Sequence, residues 1–338
     1  MTSFASALTK EIAPTCPQCR KPAHCAYKGV RDAWHLDDKE YHFARCESCR
    51  SLFIVPAPTD EELAKSYAYA EYYTHAQSER QQRRSLIRGC LHRINLDTFR
   101  VAFGYGSGSL LANTLAKFGW VRRRCGQSMR YLRWKHDGTL LEVGCGDGEF
   151  LREAHRWGWK CWGLEPDKQA ASHRLAEEDI QVLCGRIEDL DHYGLTFDAI
   201  VLHHVIEHVR DPKEALRILA AHVRAGGQIV SISPNPEAIG LTLAGKFWPG
   251  LDPPRHVLIP SISLLLQICD AVGLQGRGFC LYRNFKSAVL PSVGSRTGRQ
   301  LGWLWRVGLS GVELLLGLTL GTLQIPRGDE IVLIAEGR

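Results

Sequence analysis

Runs of apolar residues bounded by glycine mark strand-like segments in the second half of the chain. Residues 140–143 form such a run around one carboxylate, and glycines follow at alternate positions, Gly144, Gly146 and Gly148. Residues 149–159 then place apolar side chains at helical spacing. This order predicts a buried strand, a sharp turn and a helix, because glycine adopts backbone angles that other residues avoid. A turn without side chains lets a polar ligand approach the amides at the helix start.

The glycine turn also argues against one common class of nucleotide-binding protein. The fingerprint of dinucleotide-binding folds has a third glycine three positions after the second. Glu149 occupies that position in this chain. A nicotinamide or flavin enzyme is therefore disfavoured.

The segment "LLEVGCGDGEFL" resembles the first motif of class I S-adenosylmethionine-dependent methyltransferases. Four later segments follow in that family's order: "CWGLEPD", "VLCGRIEDL", "FDAIVLHHVIEHVRDP" and "RAGGQIVSISPNP". The similarity covers about residues 138–282 and the tail "GDEIVLIAEG". It implies an α/β fold with a Rossmann-like, doubly wound sheet of seven strands, the last antiparallel, and S-adenosylmethionine as cofactor.

The resemblance also implies cofactor contacts along these motifs. Glu142 matches the ammonium group of the methionine moiety, and Glu165 is the expected acceptor for the ribose hydroxyls. Asp189 is the expected contact to the adenine amine. The remaining predicted contacts are the turn itself and one side chain lining the pocket: Gly144, Cys145, Gly146, Asp147, Gly148 and His203. Asp147 and Glu165 could instead cap helices.

Histidines follow the fourth predicted strand and return in the later "PPRH" segment, where this family builds its acceptor pocket. An imidazole with a pKa of about 6.5 can accept a proton at neutral pH, which matters when the acceptor group is protonated. His204 and His256 are therefore the predicted catalytic residues. His208 is expected to pack or to form a hydrogen bond within its helix.

The same segment resembles a motif of the ubiquinone-pathway O-methyltransferases. Those enzymes carry a carboxylate where this chain has His204, whereas Glu207 and His208 are kept. If that carboxylate holds a divalent ion in those enzymes, its replacement weakens the case for metal assistance here. Imidazole also binds divalent ions, so the sequence leaves metal assistance open.

Cysteines near the start of the chain form two matched pairs, "CPQC" and "CESC", at Cys16, Cys19, Cys46 and Cys49. Two such pairs can surround one tetrahedral zinc ion with four thiolates, which leaves no open coordination position. The predicted zinc is therefore structural, and a redox dithiol is disfavoured. A short hairpin is expected between the pairs, where His24 or Cys25 could replace a ligand.

These features divide the chain into three predicted parts. A zinc-ribbon module covers residues 1–56, a basic helical segment covers 57–136, and the cofactor-binding domain covers 137–338 with an apolar helical insert at about 300–325. A helix is expected to open at Thr59, because three acidic residues follow in its first turn. The zinc pairs and this helix resemble a leader found in front of many bacterial methyltransferases of this subgroup.

Charge is concentrated in residues 80–135, where thirteen basic side chains and one acid give a net charge of +12 in a chain whose total is +6. Apolar segments edged by arginine lie at residues 101–120 and 307–325. Spanning a membrane is disfavoured, because Glu313 would cost about 2.5–3.5 kcal/mol at the bilayer centre. The pattern predicts a peripheral enzyme at an anionic membrane surface. Two helices packed into a lid or a dimer interface are the alternative.

The predicted activity is methyl transfer from S-adenosylmethionine to a small-molecule, glycan or lipid-linked acceptor, with a histidine as base. One alternative is an RNA or other nucleic-acid methyltransferase that binds through the zinc ribbon and the basic segment. A second is a non-catalytic partner protein that binds the cofactor. Twelve cysteines and no signal-peptide pattern predict a cytoplasmic location, peripheral at the inner face of the membrane.

Overall fold

A computed structural model of the chain describes residues 14–32, 39–67, 86–167, 179–282 and 326–337, without the side chains of residues 86–92. The strands in these ranges are β1 Ala23–Arg31, β2 Glu40–Cys46, β3 Leu52–Val55, β4 Thr139–Val143, β5 Lys160–Glu165, β6 Gln181–Cys184, β7 Phe197–His203, β8 Val223–Pro234, β9 Leu258–Ile259, β10 Gln275–Leu281 and β11 Glu330–Glu336. The helices are α1 Asp60–Tyr67, α2 Leu86–Phe103, α3 Leu110–Leu115, α4 Gly119–Cys125, α5 Glu149–Arg156, α6 Leu190–Tyr193, α7 Pro212–His222, α8 Ile239–Ala244 and α9 Ile262–Ala271.

The larger sheet has seven strands in the order β10-β11-β8-β7-β4-β5-β6. Strands β6, β5, β4, β7 and β8 run parallel, whereas β11 is antiparallel to both β8 and β10. The predicted doubly wound α/β sheet with an antiparallel last strand is confirmed. Its strand order reverses between β4 and β7, and ligands of such sheets bind beyond the carboxyl ends of the strands at this reversal.

Central strands of this sheet are covered on both faces. In β7 the residues 197–202 are all buried, and the strand pairs with β4 on one side and β8 on the other. A strand buried on both faces reads as a continuous apolar run rather than an alternating one. This explains why "FDAIVL" and "LLEV" stand out in the sequence.

A smaller antiparallel sheet has the order β1-β2-β3-β9. Strands β1 and β2 form the hairpin expected between the cysteine pairs. The fourth strand, β9, comes from the later "HVLIP" segment, and its Ile259 and Leu258 pair with Leu52 and Phe53 of β3. We call β1–β3 and α1 the N-terminal module, and it shares its sheet with the large domain.

Helix α1 begins where the sequence predicts. The Glu62 amide donates to the Thr59 hydroxyl, and the Thr59 amide donates to the Glu62 carboxylate, which is a reciprocal capping box. The Arg210 side chain from the large domain donates to the Pro58 carbonyl and the Asp60 carboxylate. The start of α1 is therefore attached to the large domain.

The predicted basic insert is helical where the structure describes it, from α2 to α4. Phe99 is fully buried in α2 and stacks on Phe103 with ring centroids 5.0 Å apart. Arg122, Arg123 and Arg124 lie in the last turn of α4. Residues 80–85 and the apolar segment 307–325 lie outside the described residues. Among the helices that are described, none has the length and apolarity needed to cross a bilayer.

Candidate functional site

The turn that follows β4 connects this strand to α5 through three left-handed glycines. Gly144, Gly146 and Gly148 have φ angles of +67°, +51° and +73°, which other residues adopt at a cost. A Cβ atom at Gly146 would meet nothing within 4 Å, whereas one at Gly144 would lie 2.8 Å from Val205 Cγ2. The expected strand, turn and helix are therefore present, with open space in front of Gly146.

Glu142 lies at the sheet reversal with its side chain almost fully buried. The Arg130 guanidinium pairs with its Oε1 atom, while Oε2 is buried without a hydrogen-bond partner among the described residues. Burial outweighs the attraction of Arg130 and raises the pKa of Glu142 to about 7. A buried carboxylate oxygen with no donor marks a place where a cationic or hydrogen-bonding ligand would be stabilised.

Arg130 is a residue of this site that the motifs did not reveal. It has a left-handed φ of +47° just after the 3₁₀ turn Gly126–Met129, and its guanidinium lies 3.8 Å from the centroid of the Phe150 ring. The contact with Phe150 holds the cation above the glycine turn. The only sequence signal for it is the cluster of arginines that precedes β4.

Glu165 lies at the end of β5, the strand beside β4. Its Oε2 atom accepts a hydrogen bond of 2.9 Å from the Gly146 amide, and its Oε1 atom accepts one of 3.1 Å from the Asp167 amide. The carboxylate thus lies at the edge of the glycine turn. Asp147 accepts from the Glu149 amide at 3.2 Å, which is the capping contact considered in the sequence.

The other residues predicted to contact the cofactor surround this turn. The Cys145 side chain is buried, with burial raising the pKa of its thiol, and a Cβ atom at Gly163 would lie 2.4 Å from its sulfur. Asp189 accepts a hydrogen bond of 2.8 Å from the Arg186 amide. His203 ends β7, and its ring lies 4.5 Å from that of His204.

His204 occupies a left-handed backbone position with φ of +55° and lies between two carboxylates. Its Nδ1 atom is 3.0 Å from Glu207 Oε1, and its Nε2 atom is 3.4 Å from Glu330 Oε1 of β11. Burial lowers the pKa of His204, but hydrogen bonds to these carboxylates outweigh burial and raise the pKa to about 10. The ring is therefore an imidazolium at neutral pH, which opposes the predicted role as a proton acceptor.

Three further side chains form a buried cluster beside His204: Glu207, His208 and His256. Burial and the neighbouring charge of His256 lower the pKa of His208 to about 4, so this ring is neutral. The His256 Nδ1 atom is 2.9 Å from the Gly250 carbonyl, and its Nε2 atom is 3.9 Å from Glu207 Oε1. One ligand atom from each of the three lies within 4.8 Å of the others, a spacing that could hold a divalent ion.

Tyr67 brings the N-terminal module to this cluster. Its hydroxyl is 2.8 Å from His208 Nδ1, although 141 residues separate the two in the chain. The sequence expectation for His208, packing or a bond inside its own helix, did not include this contact. The surroundings of His208 are thus built from two parts of the chain.

The four predicted zinc ligands also come together. Cys16 and Cys49 have their sulfur atoms 3.8 Å apart, and Cys19 and Cys46 have theirs 3.4 Å apart. Tetrahedral coordination with Zn–S bonds of about 2.3 Å places sulfur atoms roughly 3.8 Å apart. A hydrogen bond from Cys16 lowers the pKa of the Cys49 thiol, which favours a thiolate. The arrangement fits a structural zinc ion, whereas exposed Cys25 lies outside this group.

Comparison with known proteins finds similarity to methyltransferases over part of the chain. A family model described as a methyltransferase domain matches residues 118–277. The ubiquinone biosynthesis O-methyltransferase of Aeromonas salmonicida is 29% identical over 115 residues, which is 31% of this chain and 48% of that protein. The enzyme of the same name from Parvibaculum lavamentivorans is 32% identical over 120 residues, 33% of this chain and 47% of that protein.

One solved structure with partial similarity is also a methyltransferase. A S-adenosylmethionine-dependent methyltransferase from Archaeoglobus fulgidus is 21% identical, with a TM-score of 0.42 and coverage of 70% of this chain and 97% of that chain. The chain spans about half the length of the curated relatives it matches.

Proposed function

We propose that this chain, which is similar to methyltransferases over part of its length, transfers the methyl group of S-adenosylmethionine to a small-molecule or lipid-linked acceptor. One observation carries the proposal: a buried carboxylate oxygen of Glu142 lies beside a turn with open space at Gly146. The ammonium group of S-adenosylmethionine would pair with this carboxylate oxygen. The open space at Gly146 would let the same molecule approach the backbone of the turn.

The cofactor's other polar groups have candidate partners around the turn. Glu165 at the end of β5 is the proposed acceptor for the ribose hydroxyls, in exchange for its present bond to Gly146. Arg130 is the proposed partner of the cofactor carboxylate, because it already lies above the turn beside Glu142. Asp189 remains the proposed contact to the adenine amine, and His203 the proposed side chain lining the cofactor pocket.

The cofactor supplies an activated methyl group, so the protein's main task is to align an acceptor in line with it. Residues on the acceptor side can additionally take a proton from a hydroxyl or similar group. His256 is the better candidate for this than His204, because two carboxylates keep His204 protonated. His204 would instead present a positive charge beside the transferred group.

A divalent ion is a second way to activate the acceptor. Glu207, His208 and His256 would hold it, since the Glu207 Oε2 atom is buried without a hydrogen-bond partner among the described residues. Such an ion would stabilise the deprotonated form of a hydroxyl. Cobalt(II) binding to protein whose zinc content is already complete would give visible absorption bands that Glu207→Gln removes.

A lipid-linked acceptor is favoured by the surface around α3 and α4. The side chains of Leu110 and Leu111 are 85% and 52% exposed, and Phe118 and Trp120 are also exposed. The arginines of α4 follow directly. Exposed apolar groups beside basic ones suit an anionic membrane surface, and flotation with phosphatidylglycerol vesicles would test the contact.

A nucleic-acid acceptor is less well supported. The N-terminal module would have to serve as a reading surface, yet β3 pairs with β9 and Cys49 contacts Ser261 in the large domain. A module held by these contacts is better suited to line the acceptor site than to bind nucleic acid independently.

The direct test of the reaction uses cell extract and a cofactor labelled with deuterium in its methyl group. We expect S-adenosylhomocysteine to form and one class of metabolite or lipid to gain the labelled methyl, as read by mass spectrometry. Protein that binds the cofactor but forms no S-adenosylhomocysteine with any extract would instead be a non-catalytic partner.

A further inference from the structure

Residues 249–261, which we call the acceptor loop, are unusually enclosed for a connecting segment. All residues from 251 to 260 are buried. Loops normally run over the surface, because their backbone polar groups need water or other partners. Here the N-terminal module supplies partners: the Ile54 amide donates to the Val257 carbonyl at 3.1 Å, and the Ser261 amide donates to the Ser51 hydroxyl at 3.0 Å.

Arg255 lies at the centre of this loop with no solvent exposure. Its guanidinium donates to both carboxylate oxygens of Asp252, at 2.9 and 2.6 Å, within the loop itself. It also donates to Asp32, at the end of β1 in the N-terminal module, at 2.5 Å. Arg255 therefore links the two parts of the chain through buried charge, and removal of one partner would leave another charge uncompensated.

The backbone around Arg255 orients the two histidines of the acceptor side. The Arg255 carbonyl lies 3.1 Å from His208 Nδ1, and the Gly250 carbonyl lies 2.9 Å from His256 Nδ1. A carbonyl can only accept, so an Nδ1 atom that bonds to it carries a proton, and Nε2 then has the lone pair whenever the ring is neutral. The Tyr67 hydroxyl, which also lies 2.8 Å from His208 Nδ1, would accept from the same proton. The loop thus fixes which ring nitrogen of each histidine is available for chemistry.

We propose that Arg255 is a positioning residue, which holds the acceptor loop against the N-terminal module so that His208 and His256 keep their orientation and tautomer. The zinc-bearing module is then part of the acceptor site. This inference rests on the proposed function, because it assigns the acceptor side of the same site. In this role Arg255 acts through the loop and its histidines.

Simple attachment of the module does not require Arg255. Arg45 donates to the Pro236 carbonyl at 2.8 Å, and Arg50 pairs with Glu237 at 3.5 Å. Both link the module to the large domain without touching the acceptor loop. Arg50 therefore offers a matched control for the same substitution.

The test compares Arg255→Lys and Arg50→Lys in the full-length protein. For Arg255→Lys we expect zinc content and S-adenosylhomocysteine affinity to stay within twofold of the parent, while S-adenosylhomocysteine formation with cell extract falls at least tenfold. Long-range proton–nitrogen spectra of ¹⁵N-histidine-labelled protein should show two histidines losing a single Nδ1-protonated tautomer. Arg50→Lys should change none of these.

Two results would overturn the inference: Arg255→Lys with unchanged turnover and histidine spectra, or Arg50→Lys with equal losses. If Arg255→Lys does not fold, Asp32→Asn serves instead, because it keeps the shape of the partner and leaves Asp252 in place; it should lower turnover and disturb the same two histidines. Failure of the proposed function is distinguishable, since the parent protein would then bind no cofactor while the histidine spectra still respond to Arg255.

Discussion

The proposed cofactor side lies at the ends of β4 and β5 and the proposed acceptor side follows β7, and the two sides are constructed differently. Glu142, the glycine turn and Glu165 lie within one stretch of chain on two adjacent parallel strands. Across the site, His208 contacts Tyr67 at a separation of 141 residues and the Arg255 carbonyl at a separation of 47. One side is local in sequence, and the other depends on the docking of the N-terminal module.

The two sides should therefore respond differently to substitutions in the N-terminal module. The proposed cofactor side consists of backbone amides and two carboxylates on one strand, turn and helix and the neighbouring strand. On the proposed acceptor side, we expect the side chains to keep their orientation only while the module, its cysteine group and the acceptor loop remain packed together. Changes in the module should therefore affect acceptor chemistry more than cofactor binding.

The largest expected effect follows the loss of the cysteine group. In Cys46→Ser we expect the zinc to be lost and the free energy of unfolding to fall by at least about 3 kcal/mol, because structural zinc contributes directly to folding. Urea denaturation and metal analysis measure both quantities. Cys25→Ser, at an exposed position on β1, is the control and should leave both unchanged. Equal stability of Cys46→Ser and its parent would contradict a structural zinc site.

Next in size is the loss of Glu165. Replacement by alanine removes the proposed hydrogen bonds to the ribose, so we expect the affinity for S-adenosylhomocysteine to fall roughly a hundredfold, or about 2.7 kcal/mol. Calorimetry measures it, with Glu61→Ala on the exposed face of α1 as control. A change of less than threefold would show that Glu165 acts only through its bond to the Gly146 amide.

Glu142 should make cofactor binding depend on pH. Burial raises its pKa to about 7, and only the carboxylate can pair with an ammonium group. The dissociation constant of S-adenosylhomocysteine should therefore increase as the pH falls through this value, approaching about tenfold per pH unit. Without ligand, the raised pKa has the opposite consequence: the fold loses stability as the pH rises from about 4.3 towards that value.

The matched variant for this pH dependence is Glu142→Gln. It removes the titrating group while keeping the shape of the side chain, so it should bind more weakly and with little dependence on pH over the same range. A parent protein whose affinity is flat between about pH 5.5 and 7.5 would contradict the assignment of Glu142 to the ammonium group.

The smallest expected effect concerns Tyr67. In Tyr67→Phe one hydrogen bond to His208 is lost at a side chain that is partly exposed, so turnover should fall about threefold to tenfold, or roughly 0.6–1.4 kcal/mol. Cofactor affinity should not change. Tyr193→Phe, which loses a bond to the Cys184 carbonyl instead, is the control. A Tyr67→Phe protein that loses cofactor affinity would contradict the separation of the two sides.

Much of the cofactor side could be predicted from the sequence, because its signals are local. Three glycines after an apolar run predict the turn, and their positive φ angles are present. Thr59 and Glu62 predict the start of α1 for a similar reason. The two cysteine pairs predict one shared site, since each pair has the short spacing of a zinc knuckle, and their four sulfur atoms do lie together. The domain boundaries at residues 56 and 136 stay predictions.

The acceptor side could be predicted only in part. His204 and His256 were identified as candidates, but the groups around the histidines come from distant segments. Tyr67 of α1 contacts His208, Glu330 of β11 contacts His204, and Asp32, just after β1, contacts the Arg255 side chain next to His256. No spacing in the chain links such positions. The protonation of His204 could not be predicted from the sequence either, because it depends on two carboxylates that the fold brings together.

The most direct test of the central claim is calorimetry of the folded, zinc-loaded protein with S-adenosylhomocysteine. We predict a single site that binds with a measurable heat and that S-adenosylmethionine competes for, with binding lost or strongly weakened in Glu142→Gln and Glu165→Ala. Absence of any heat or competition with well-folded parent protein would contradict the claim that the glycine turn holds a sulfonium nucleoside.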